Sequence, residues 1–217
     1  MVNAEKLEKL VQDATEDEMA AISDKVRMIA LQMLSTGQLD SAALKQVISA
    51  VVKGAQKGAS RRSEQGTQAL QQAMQGLDAA LAAAAEATQL AIQEAAGRSN
   101  EFSRQGLKQT LDDLAALESL FIETLAEAAK STVGAAQSGM RELMGHFSAS
   151  GTAVGSQVKT ALVQLGSAVA DTTREQVEAG ADIVRKEGAL LAGLAAGILK
   201  GIAERLQSTP PSSRRDT

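Results

Sequence analysis

The sequence predicts an all-α protein, and three observations carry that expectation. No proline occurs before Pro210, so nothing upstream of it removes a backbone N–H and forces a helix to stop. Alanine, the strongest helix former, makes up roughly a fifth of the chain. Apolar residues recur at three- and four-residue spacing along most of the length, which gathers them on one face of a helix. The expected architecture is long antiparallel amphipathic helices, an extended bundle or coiled-coil-like hairpin, with two shorter N-terminal helices. Three regions are expected: an N-terminal helical region over 1–60, a long hairpin or bundle over 61–207 with a turn near 145–156, and a disordered tail over 208–217.

Each element has a local reason. Asn3 is placed to cap a short first helix. Thr15, Glu16, Asp17 and Glu18 have the form of a capping box, which predicts a helix start near Glu16. Met19, Ile22, Val26, Ile29 and Met33 then share one face, and Ser35, Thr36 and Gly37 read as the stop. Asp40 or Ser41 caps the next helix, which carries Leu44, Val47, Ile48, Val51 and Val52 and is expected to fray at Gly54 and Gly58. From about Arg62, Leu70, Met74, Leu77, Leu81, Ala84, Thr88, Ala91 and Ala95 form a coiled-coil-like seam.

Gly97 to Asn100 is the expected break. Leu107, Leu111, Leu114, Leu117, Phe121, Leu125 and Ala128 continue, followed by Met140, Leu143 and Phe147. A helix from Asn100 to Phe147 would be about 70 Å long. Gly145, Gly151 and Gly155 mark the predicted hairpin turn, and a final helix runs from about Gln157 to Gln207. Ser208 to Arg215 has the composition of a disordered tail, and no repeat of solenoid period is visible.

Composition restricts function. The hydrophobic fraction is 44%, but aromatics are 1% and the apolar set is mostly Ala, Leu, Val and Ile, which predicts thin helix pairs rather than a thick core. With no cysteine, the chain has no disulfide, zinc–thiolate or thiol-catalytic option. A net charge of −4 argues against nucleic acid as a partner. The N-terminus lacks the order of a signal peptide. The longest uncharged apolar run, Gly188 to Leu199, is shorter than the roughly 20 residues that span a bilayer. The expected location is cytoplasmic, free or peripheral on granules or the inner membrane. About a dozen of the 18 glycines fall inside predicted helices. Each costs about 0.8–1 kcal/mol there, and a sum on the order of 10 kcal/mol rivals a domain's stability. Close helix contact or a partner surface is expected to compensate.

Chemical motifs are sparse. Ser156 and Lys159 match S-x-x-K, but the companion S-D-N and K-T-G motifs are missing. Glu142 and the only histidine, His146, lie four apart, which is too few ligands for a carboxylate-bridged metal pair. Asp112, Asp113 and the other acids read as a solvated helix face. No catalytic, cofactor or metal site is expected, nor a small-molecule substrate. Lys53, Lys57, Arg61 and Arg62 form a basic stripe. It reads either as a contact for an anionic surface or as a solvated helix end complementing the dipole.

The strongest signal is near the C-terminus. Gly193, Gly197 and Gly201 form a small-residue row. Leu190, Leu191, Leu194, Ile198, Leu199 and Ile202 occupy the adjoining face. The row permits close approach of another helix, within this chain's own hairpin or in a second copy. Alternatively, the apolar face enters a lipid or polymer surface.

The alanine- and glutamine-rich run Gln68–Gly76 and the acidic amphipathic run Leu114–Ala129 resemble the phasins, bacterial proteins that coat polyhydroxyalkanoate granules. The resemblance covers about 62–207 and carries no residue-level motif. It implies a helical, non-enzymatic protein with an exposed amphipathic face bound to an apolar–water interface. Two further readings stand beside it: a homo-oligomeric coiled-coil scaffold, and a membrane-perforating protein that inserts Gly188 to Leu199.

Overall fold

The structure, a computed structural model, describes residues 4–36, 41–62, 64–96, 104–131, 135–171 and 181–208. Among these, the chain forms α1 (Ala4–Glu16), a 3-10 turn (Met19–Ala21), α2 (Ile22–Thr36), α3 (Ser41–Ser60) and α4 (Gly66–Ala96). It continues through α5 (Arg104–Ser131), α6 (Ala135–Ser150), α7 (Ala153–Asp171) and α8 (Ala181–Ser208). The fold is all-α, with no strand among the described residues.

Helix α4 is the axis. Its 31 residues make a rod about 46 Å long, and it contacts each of the other seven helices. That crowding requires small side chains. Leu70, Met74, Leu77 and Leu81 are buried at one end, and Ala84, Ala85, Ala87, Ala91 and Ala95 continue the buried surface. The core is therefore broader than the composition suggests, because alanine lets many helices approach one rod.

The N-terminal helices pack onto this axis rather than standing apart, with α2 and α3 both against α4. Helices α1 and α3 run parallel, since Glu8 pairs with Lys57 and Glu16 with Arg61. Gly54 and Gly58 lie inside α3 and do not fray it. A methyl group at Gly58 would sit 2.7 Å from the Gln12 carbonyl oxygen and from Thr15 Cβ, and one at Gly54 would overlap the Glu8 carbonyl. The expected capping box is also replaced. Thr15 lies in the last turn of α1, fully buried, and its hydroxyl donates to the Val11 carbonyl at 2.8 Å. Asp17 organises the following turn, accepting the Glu18 N–H at 2.8 Å and pairing with Lys25.

Three register points fix the second half. Gly139 lies against Thr67, Ala153 donates to Asp78, and Gln164 meets Gln89. Both numbers of each pair rise together, so α6 and α7 follow one another along α4 in its own direction. The rings of Phe121 on α5 and Phe147 on α6 lie 5.7 Å apart. One straight helix would separate them by about 39 Å, so the chain reverses between α5 and α6. The expected single helix over 100–147 is thus two antiparallel helices.

The expected hairpin turn near 145–156 is a break rather than a reversal. Only Gly151 and Thr152 separate α6 from α7, with Gly145 inside α6 and Gly155 inside α7. Gly151 has φ +77 and donates to the Phe147 carbonyl at 2.9 Å, the left-handed C-cap that glycine accepts without strain. The expected final helix corresponds to α7 and α8 with 172–180 between them. Gly37, Asp40, the break at 97–100 and the tail 209–217 fall outside the described residues.

These packings predict opposite effects for one substitution. Gly58→Ala should destabilise by about 1–3 kcal/mol, since backbone stands where the methyl would go. Gly197→Ala should stabilise by up to about 1 kcal/mol, because open space faces it inside a helix. Urea unfolding of both variants measures the contrast.

Candidate functional site

The outer face of α8 combines the sequence signal with exposure. Leu191, Leu199, Ala195 and Ala203, four apart, face inward and are buried. They seat α8 against α2, α4 and α5. Leu190 and Leu194 point away, 59% and 37% exposed. Ile198 and Ile202 are half-buried on the flank, with Ile198 packed on the core.

Gly193 and Gly197 are exposed and Gly201 half-exposed, and nothing lies within 4 Å of a methyl built on any of them. Among the described residues the row therefore brings no helix close. The eight expected contact residues divide: Leu191 belongs to the core, Ile198 and Ile202 to the edge. Leu190, Gly193, Leu194, Gly197 and Gly201 make an apolar, low-relief strip. Lys200, also exposed, closes its uncharged span.

The basic stripe is drawn inward to α1. Lys57 pairs with Glu8, Arg61 with Glu16 at 2.9 Å, and Arg62 donates to the Asp17 carbonyl; Lys53 is exposed. Hydrogen bonding from Gln12, together with Arg61, holds the Glu16 carboxyl below the usual range. The bond from Lys25 does the same for Asp17. These cations tie α3 to α1 and do not form one free anionic-surface contact.

His146 and Glu142 are both exposed on α6. Among the described residues, no group of three or more His, Cys, Asp or Glu side chains is placed to hold a metal. Ser156 and Lys159 are exposed on the first turns of α7. A shallow, open depression of about 430 Å³ between α1 and α2 is lined by Asp13, Asp17, Asp24, Lys25, Met28 and Ile29. Two of its acids are engaged, Asp13 with Lys9 and Asp17 with Lys25.

Sequence reasoning missed the polar centre at the head of α7. Asp78, 6% exposed in the middle of α4, accepts the Ala153 N–H at 2.7 Å and the Val154 N–H at 2.9 Å. Thr152 completes the cap: its Oγ1 accepts the Gly155 N–H at 2.9 Å and donates to Glu118 of α5 at 2.7 Å. Gly155 lies directly under the Glu118 carboxylate, which would have to swing aside to admit a methyl there. Three of the free N–H groups at the start of α7 are thereby satisfied, two from α4 and one from its own cap. A signal was available, because Asp78 is the one charge between Glu64 and Glu86.

The described residues thus define an all-α bundle around an alanine-lined axis, with an apolar strip on its last helix. By sequence the chain belongs to DUF6781, a family of unknown function whose model matches residues 1–208. No curated protein matches it, and no solved structure does.

Burial pushes the Asp78 carboxyl above its usual value, and nearby Glu118 adds to the rise. The Val154 and Ala153 N–H bonds oppose it. The folded state therefore binds the proton more tightly than the unfolded chain. Stability should fall as pH rises from the ordinary carboxylate value through the raised one. Asp78→Asn carries no charge at any pH. Its melting temperature relative to wild type should therefore climb as pH rises through that window and hold level above it. Parallel melting curves at every pH would remove this assignment.

Proposed function

We propose that this is a non-enzymatic helical protein that attaches to an apolar–water interface through the outer face of α8. The carrying observation is that Leu190 and Leu194 stand exposed on an uncharged stretch of helix. Among the described residues, the other exposed large apolar residues, Leu10 on α1, Leu90 on α4 and Val163 on α7, each stand singly on their helix. The phasin resemblance makes a storage granule the favoured surface and a membrane leaflet the other. No helix among the described residues is long and apolar enough to cross a membrane, which suits lying on a surface.

Magnitude limits what the closed bundle achieves. Removing the exposed parts of two leucines from water is worth about 2–3 kcal/mol, roughly a hundredfold in partition. Lasting attachment then needs several copies or a larger apolar area. An acidic outer surface, from the net charge of −4, keeps coated particles apart.

A second reading, self-association as a scaffold, is favoured by the empty glycine row. Gly54, Gly58 and Gly76 each receive neighbouring backbone at van der Waals distance or closer, whereas Gly193, Gly197 and Gly201 face open space. A helix from a second copy fits that relief.

Two variants separate the readings. Leu194→Glu should lower binding to neutral lipid vesicles and apolar beads at least tenfold, with helicity unchanged, because a charge there resists burial. Gly197→Leu should leave surface binding in place. If Gly197→Leu instead lowers the mass seen by light scattering, and Leu194→Glu binds as wild type does, the face is a protein seam. If wild type binds neither surface, the interfacial reading fails.

A further inference from the structure

The chain shows within itself how it fills a glycine row. Gly54 and Gly58 of α3 take α1 so closely that a methyl at either would meet the Glu8 or Gln12 carbonyl. Glycine admits the helix there, and ion pairs at the rim set its direction, Glu8 with Lys57 and Glu16 with Arg61. On α8, Gly193, Gly197 and Gly201 face open space, with Leu190 and Leu194 exposed beside them. Charges bound this row as well, and they differ in sign from one end to the other.

Helical spacing puts position 186 on the outward line of α8, four residues before Leu190 and seven before Gly193. Glu204 is exposed at the far end of the same line, seven residues beyond Gly197. The line thus reads Lys186, Leu190, Gly193, Gly197, Gly201, Glu204. It is positive at its amino end, negative at its carboxyl end and uncharged between.

A strip of that polarity is complementary to itself reversed. Two copies of α8 laid antiparallel about the midpoint of Gly193 and Gly197 bring those glycines level with each other. The same register brings Lys186 level with Glu204 at both ends. Leu190 then comes within one residue of Gly201, so each exposed leucine meets the space that a glycine leaves open. The helix dipoles also oppose each other. The parallel two-fold pair, in register, would instead stack Lys186 on Lys186, Lys200 on Lys200 and Glu204 on Glu204. Like-charge repulsion disfavours it.

We infer that the occupant of the outer face of α8 is the α8 of a second copy, antiparallel, in a two-fold dimer. This rests on the self-association reading and adds to it the direction and the register. The strip from Leu190 to Gly201 is only about 16 Å long, which keeps the contact at or below the ~1,200 Å² of the smaller specific interfaces. The dimer is therefore weak, and its parting frees Leu190 and Leu194. An apolar surface and a second copy compete for the same two leucines.

The chain has no cysteine, so introduced thiols report the pairing cleanly. Leu190→Cys and Gly201→Cys are made as separate variants of the full-length protein, at positions with solvent or open space before them. Mixed and mildly oxidised, they should form a disulfide-linked dimer containing one of each. Either alone should link at least about tenfold less, because like positions lie roughly 15 Å or more apart along an antiparallel pair. Light scattering over a dilution series gives a second measurement. Lys186→Glu and Glu204→Lys should each move half-dimerisation to at least about fivefold higher concentration, and the double variant should restore it.

Self-linking of either thiol variant in excess of the mixed product would overturn the antiparallel pairing while leaving self-association standing. The mass of a single chain at every concentration would overturn both. Failure of the double variant to recover would remove the charge pairing and with it the register. No vesicle or bead is present, so none of these outcomes bears on surface attachment.

Discussion

Everything in this fold depends on how closely helices can approach α4. A rod touched by seven others has no room for a full coat of leucine, and the sequence answers with alanine over its second half. Each alanine buries little, so the gain comes from backbone proximity and dispersion between many thin contacts rather than from a few large side chains. Glycine extends the same solution where even a methyl is too large, as at Gly76, where the Ser23 carbonyl of α2 presses on α4. The low aromatic content is thus a geometric requirement of the architecture. The ring pair of Phe121 and Phe147 sits where α5 meets α6.

The same economy places polarity. In an alanine-lined seam, orientation is weakly specified, since small side chains do not interlock strongly. Asp78 and Gln89 supply direction instead: one fixes the amino end of α7, the other its register further along. The cost is a buried carboxyl beside a second acid, and the raised Asp78 value expresses that cost. The α1–α3 seam uses another device, glycine contact flanked by ion pairs at its rim, where Gln12, helped by Arg61, holds Glu16 in its charged form.

What could be read in advance follows from range. Helical content and inward faces are local properties, and the periodicity of Val26, Leu70, Leu77, Leu117 and Phe121 placed each on a face that is buried. Chain reversal is not local. The pattern from Leu107 to Phe147 is equally compatible with one rod and two antiparallel helices, and only the Phe121–Phe147 contact decides. The glycine rows show the same limit. Gly54 with Gly58 and Gly193 with Gly197 have identical spacing, yet α1 fills the first and nothing among the described residues fills the second. Asp78 stood out as a lone charge among apolar neighbours, but its partner lies 75 residues away. The local pattern at Thr15 misled because a threonine can bond back to its own helix as readily as it caps the next.

The contact of α2 with α8 carries a consequence for how the chain is made. On a ribosome, α1 to α3 emerge first and can pair at once, and α4 can dock on them. Its far side then waits through the synthesis of some eighty further residues before α7 and α8 arrive. A waiting surface of leucine would invite other nascent chains. One of methyl groups attracts them weakly while still fitting its proper helices closely, so the side chains that make the finished bundle dense also keep the unfinished one from sticking.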